Sequence, residues 1–151
     1  MIIFIAASIY LPRFFVKPAF NFIYISPDDR YNQNYYTVQN EKIILAPNTN
    51  WGGEIRTSVI KLYIYDVAKD TAREISLAEA QNLNLDAHKI SPDGFEIVNG
   101  SDSDYIFPFF FASNTDYHTY YLKGHNLSKK LNIQLNDHSG YNEFRFIGWI
   151  K

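Results

Sequence analysis

A chain of 151 residues, 46 % hydrophobic and 20 % charged, is long and apolar enough to bury the core of one domain. Its formal net charge of -2 and its scattered basic residues, adjacent only at Lys129-Lys130, exclude the cationic footprint of a nucleic-acid binder. Zero cysteines exclude a disulfide framework, a thiol nucleophile and a thiolate metal site.

The amino terminus, MIIFIAASIYL, is apolar from Met1 to Leu11 apart from Ser8, and the apolar character returns at Phe14, Phe15 and Val16. A spanning helix needs roughly 20 apolar residues and a signal peptide wants a basic segment ahead of its core. The run is short for the first and lacks the second. Three readings stand: the truncated end of a membrane anchor, a signal-like sequence, or a buried first strand. The expectation carried forward is a membrane contact through residues 2-16, with 1-16 as a separate apolar segment and 17-151 as a single β domain. Arg13 and Lys17 would place that flank in the cytoplasm by the positive-inside rule. The Asn- and Tyr-rich domain suggests an extracytoplasmic module, and a soluble cytoplasmic chain is the alternative.

Within the domain, twelve Phe and twelve Tyr beside many Ile and Thr favour strands. FNFIYI at 20-25 leads into Ser26-Pro27-Asp28-Asp29, where proline pre-sets φ and the short polar side chains bond the local backbone. A strand is expected at 35-39, then a loop over 40-58 around Trp51. VIKLYIYDV at 59-67 alternates cleanly, turns at 68-71 and returns over 72-75. A short helix is expected from Leu77 to about Leu83, because Ser76 and Glu79 stand at capping-box spacing. The second half repeats the pattern: a strand into Ser91-Pro92-Asp93-Gly94, a strand at 95-99, and an aromatic run 105-111 broken by Pro108. Strands at 119-123, near 131-135 and at 144-150 complete it, with a turn at Gly124.

The expected fold is therefore all-β: two four-stranded antiparallel units with Ser-Pro-Asp turns, over about 20-84 and 85-151, and one short helix. They would pack as a small sandwich or a partial propeller. The Ser-Pro-Asp-Gly turn, followed by a strand and preceded by KLYIYDVAKDTAREIS, resembles the blade repeat of TolB-type β-propellers and of the propeller domains of prolyl-oligopeptidase-like enzymes. The resemblance covers about 22-150 as two units, whereas a closed propeller has about 4 to 8 blades. The tail, with FPFFF, YLKGHNLSKKLNIQL and FRFIGWIK, is similar to uncharacterised bacterial proteins with one amino-terminal membrane span and a β-rich exterior domain.

Residues that could carry chemistry are sparse. His88, His118, His125 and His138 match no recognised ligand spacing, although Asp116, His118, His125, Asp137 and His138 could converge. Asp102, Asp104, Asn48, Asn50 and Glu54 supply oxygen ligands without the calcium-loop pattern. No Gly-x-Ser-x-Gly elbow or phosphate-cradling loop is present. No catalytic residue, metal or cofactor is expected. An aromatic surface of Trp51, Tyr35, Tyr36, Tyr117 and Tyr120 could stack on a ligand or bury in a partner, beside the plainer reading that such rings pack inward. The expected function is a non-enzymatic, membrane-tethered β module that binds a protein or a cell-envelope component. A small Asp/His-dependent hydrolase and a structural part of an oligomeric propeller are the alternatives.

Overall fold

A computed structural model describes residues 17-26, 36-45, 60-100, 119-125, 127-135 and 144-151. The elements are β1 (Phe22–Ser26), β2 (Tyr36–Gln39), β3 (Lys42–Leu45), β4 (Lys61–Asp66), β5 (Thr71–Ile75), α1 (Leu77–Gln81), β6 (Leu85–Asp86), β7 (Glu96–Asn99), β8 (Tyr120–Gly124), β9 (Leu127–Lys130) and β10 (Arg145–Ile150). All sheets are antiparallel, and the expected all-β sandwich with one short helix is what forms. The strands fall into groups of five, three and two, in the orders β5-β4-β1-β10-β6, β7-β8-β9 and β2-β3. The five-stranded sheet draws β1, β4 and β5 from the first half of the sequence and β6 and β10 from the second. The final strand thus pairs beside the first, with Ile23 opposite Gly148.

The central sheet is covered on both faces, and the chemistry of the two faces differs. Successive side chains on a strand point to opposite sides, so FIYIS in β1 sends Phe22 and Tyr24 one way and Ile23 and Ile25 the other, and all five residues are buried. β4 repeats the division, with Tyr63 and Tyr65 against Leu62 and Ile64. The aromatic face, joined by Trp149 of β10, packs on Phe95, Tyr120 and Leu122 of the three-stranded layer and on Leu131. The aliphatic face packs on Ile43 of the β2-β3 hairpin and Ala80 of α1.

Local rules explain the covers. Ser76 caps α1 by accepting from the Glu79 N–H at 3.1 Å, but the Glu79 carboxylate pairs with Arg73 instead of reaching back to close the box. β3 falls in the stretch expected to be loop. It exists because Asn40 and Glu41 both adopt positive φ, 50° and 62°, as a two-residue hairpin turn of the type that matches strand twist requires.

The strand expected near 131-135 is displaced: β9 ends at Lys130, the Leu131 N–H makes a last backbone bond to the Tyr120 carbonyl at 2.9 Å, and 132-135 lies outside any strand. Its alternation is nevertheless used, because Leu131, Ile133 and Leu135 lie on the aromatic layer. Tyrosine hydroxyls take the place of a neighbouring strand. The Asn132 N–H donates to Tyr65 Oη at 3.0 Å and the Gln134 N–H to Tyr24 Oη at 3.1 Å, while Tyr24 donates back to the Gln134 carbonyl at 3.0 Å. Tyr65 donates in turn to the Asp70 carboxylate, which Lys129 Nζ approaches at 3.2 Å.

Candidate functional site

The second Ser-Pro-Asp-Gly turn is built as its residues dictate. The Ser91 carbonyl accepts from the Gly94 N–H at 2.9 Å, Ser91 Oγ accepts from the Phe95 N–H at 2.8 Å, and Gly94 has φ +84°. Asp93 uses both carboxylate oxygens, one for the Ser91 hydroxyl and one for the Ala19 N–H at 2.7 Å. The turn therefore reverses the chain and also fastens the segment leading into β1. Of the first copy, Ser26 is described and fully buried at the end of β1.

His125 is fixed beside this turn. Its Nε2 lies 2.7 Å from the Asp93 carbonyl, which can only accept, so Nε2 carries a proton; the ring meets Phe95 edge-on. Two glycines allow the approach. A Cβ on Gly94 would come within 2.7 Å of His125 Nε2, and one on Gly124 within 2.5 Å of the Gly94 carbonyl oxygen and 2.7 Å of Phe95 Cδ1.

Outside that contact lies a shallow groove of about 260 Å³, lined by Ile90, Gly94, Glu96, Lys123, His125 and Leu127, together with Gly124. Register places these side chains. Phe95 is buried inward, so Glu96 faces out, and Ile90, which bridges Glu96, and Lys123, which stands opposite it, share that facing; Gly124 and Leu127, opposite each other, belong to the alternate set with Phe95. Ile90 and Leu127 are 57 % and 40 % exposed, two of the three exposed large hydrophobics among the described residues. Glu96 pairs with Lys89 at 3.1 Å. Lys123, half-buried on the floor, has no ion-pair partner among the described residues.

Of the aromatic residues expected to meet a partner, Tyr120 is a core residue, 8 % exposed, with its ring 4.5 Å from that of Phe144. Tyr36 is half-buried against the aliphatic cluster. Trp51, Tyr35 and Tyr117 lie outside the described residues. So do His118, His138, Asp116, Asp137, Asp102, Asp104, Asn48, Asn50 and Glu54, which leaves His125 and His88 as the placed histidines. His88 is exposed, and its backbone N–H, followed by its ring, holds the Asp86 carboxyl below the usual range. Among the described residues no three His, Asp or Glu side chains group to hold a metal, and no helix is long and apolar enough to cross a membrane.

Burial pushes the hydroxyls of Tyr24 and Tyr65 up, out of reach of ordinary titration. The hydrogen bond from Tyr65, then Lys129, holds Asp70 down. Both effects belong to the docking of 131-135 and lie away from the groove.

The groove residues escaped the sequence reading, although one signal was available. Once Phe95 and Ile97 are taken as core, Glu96 must face out, and its cross-strand neighbour Ile90 must face out with it. The architecture defines a small three-layer all-β sandwich with an amphipathic groove on its three-stranded layer. No protein-family model, curated protein or solved structure matches the chain.

Proposed function

We propose that this protein is a non-catalytic β-sandwich module, tethered to a membrane through residues 2-16, that binds a protein or cell-envelope component on its three-stranded layer. The observation that carries the reading is the pair Ile90 and Leu127. Two exposed large aliphatic side chains line one groove, beside the close contacts of Gly94 and Gly124 with His125 and Phe95. Exposed apolar groups framed by polar ones are what an interaction surface presents. The apolar amino-terminal run supports the tether, and a domain on the outer side of the membrane accords with its Asn- and Tyr-rich composition.

The test is photo-crosslinking of the full chain in its own cells, with a photoreactive residue at position 90, 127 or, as a control, 45, where Leu45 is equally exposed on the opposite layer. Discrete adducts from 90 and 127 but not 45, in a carbonate-resistant membrane fraction, are expected. Adducts of equal pattern from all three positions would remove the groove as the docking site. Release of the chain by carbonate would remove the tether.

A further inference from the structure

The three-stranded layer, on the premise that it is the docking surface, has an open backbone edge at β9. The Leu131 N–H donates to the Tyr120 carbonyl at 2.9 Å, Tyr121 stands opposite Lys130, and Gly124 stands opposite Leu127. Residues of an antiparallel strand bond to one neighbour at every second position, so Leu127, Lys129 and Leu131 direct their backbone groups to β8, and Ser128 and Lys130 direct theirs away from it. Both are exposed, and neither has a further partner among the described residues. The opposite edge of the layer is partly covered, because Ile90 bridges Glu96 and the Ser91 N–H donates to the Phe95 carbonyl at 2.7 Å. Free N–H and carbonyl groups two residues apart on an edge strand are a template for an added strand. Lysines commonly guard such an edge, but Lys129 points inward, where its Nζ reaches the Asp70 carboxylate at 3.2 Å and the Val67 carbonyl at 3.3 Å. Lys130, on the outer face, stands charged at the edge with no ion-pair partner among the described residues.

We infer that β9 takes an extended peptide segment as an added antiparallel strand of this layer, with a carboxylate opposite Lys130 and a large apolar side chain opposite Leu127. In that register the peptide residues opposite Lys130 and Ser128 exchange both backbone bonds with them, and the N–H of the residue between points away from β9. The carboxylate lies beside Lys130 on the outer face as its cross-strand neighbour. The apolar side chain lies on the inner face, where it covers Leu127, 40 % exposed without it. A basic residue opposite Lys130 is rejected by like charge, so the edge discriminates as well as binds. A second copy fits less well, because the two-fold pairing that satisfies Ser128 and Lys130 of both chains sets their Lys129 side chains opposite each other.

The probe is a fluorescein-labelled tetrapeptide of glutamate, valine, threonine and leucine in that order, blocked at both ends and titrated by polarisation against the full chain in lipid nanodiscs. A methyl group on the backbone nitrogen of the threonine, which faces β9, is expected to weaken binding about tenfold, and one on the valine, which faces away, to change it less than about twofold. Lysine in place of the glutamate is expected to weaken binding about fivefold, and Lys130→Met to erase that difference while leaving residual binding of both. Leu127→Ser is expected to weaken every peptide alike. Equal effects of the two methyl groups, or a glutamate preference that survives Lys130→Met, would overturn the inference. So would capture of a second copy of this chain by a photoreactive residue at position 128. If no peptide binds while photo-adducts still form at 90 and 127, strand addition falls and the docking surface stands; if the adducts are missing too, both fall.

Discussion

The two faces of the central sheet solve the same burial problem with different materials. The aromatic face is held by ring geometry: Phe22 stacks on Tyr65 at 4.9 Å and meets Trp149 edge-on at 5.5 Å, and Tyr24 stacks on Tyr63 at 5.1 Å. Its tyrosines also carry hydroxyls that must find partners when buried, and these dock 132-135, the stretch that continues beyond the last backbone bond to β8. The aliphatic face has no such polar atoms, and its cover is a hairpin and a helix that satisfy their own backbones. An aromatic layer can therefore recruit irregular chain, whereas an aliphatic layer needs regular elements above it.

The contrast is broken or sharpened most strongly at β1, where adjacent residues face the two layers. Phe22→Ala, at a fully buried ring, is expected to cost about 3-5 kcal/mol in urea unfolding. Ile23→Leu, one residue away and equally buried, conserves volume among flexible aliphatic neighbours and is expected to cost under about 1.5 kcal/mol. Comparable losses at the two positions would mean that the aliphatic layer is packed as specifically as the aromatic one.

A smaller effect separates the hydroxyl from the ring. Tyr65→Phe keeps the stacking on Phe22 but deprives the Asn132 N–H of its acceptor and Asp70 of its donor. A cost of about 1-3 kcal/mol is expected, with faster amide exchange at 132 as its local signature. The same variant has a predicted acid phenotype. Because Asp70 is held below its ordinary value in the folded protein, its contribution is present above the unfolded-state pKa near 4 and is lost as pH falls through the lower folded value. Tyr65→Phe removes the largest cause of that depression, so the stability difference between wild type and variant should narrow below about pH 4. A constant difference from pH 7 to pH 3 would show that the Asp70 bond contributes nothing.

How far the sequence reaches follows the same division. β1 and β4 were readable as strands, and their alternation of aromatic with aliphatic residues already sorts the two faces. What it does not reveal is that both faces are covered, since that depends on which distant segments return. The turn at Ser91–Gly94 and the cap at Ser76 were readable because a side chain bonds backbone within four residues. β3 was missed because the Asn-Glu turn lies in a stretch otherwise marked by loop residues. The extended run at 131-135 was read as a strand because its alternation is genuine, but its partners are tyrosine hydroxyls from strands more than sixty residues away. The groove was harder to read for a related reason: its residues, Ile90 beside Glu96, Glu96 beside Lys123 and Gly124 beside Leu127, are brought together by cross-strand register. The aromatic residues singled out instead were chosen by type, and type alone does not distinguish Tyr120, whose partner is the core, from a ring that faces water.

The smallest expected effects lie over the aliphatic face, where α1 holds Ala80 against the sheet. A helix of one and a half turns has little intrinsic stability, so its position depends on its cap and on its buried side. Ser76→Ala removes the acceptor for the Glu79 N–H and is expected to cost about 1 kcal/mol. Glu79→Gln, by contrast, removes an ion pair with Arg73 whose two side chains are 43 % and 60 % exposed, and a smaller loss than that of Ser76→Ala is expected because solvent screens such pairs. It also leaves glutamine, the other capping-box residue, free to bond the Ser76 N–H. If Glu79→Gln proves the costlier of the two, the helix is held to β5 by Arg73 rather than by its cap, and the aliphatic layer would share the side-chain fastening that now distinguishes the aromatic one.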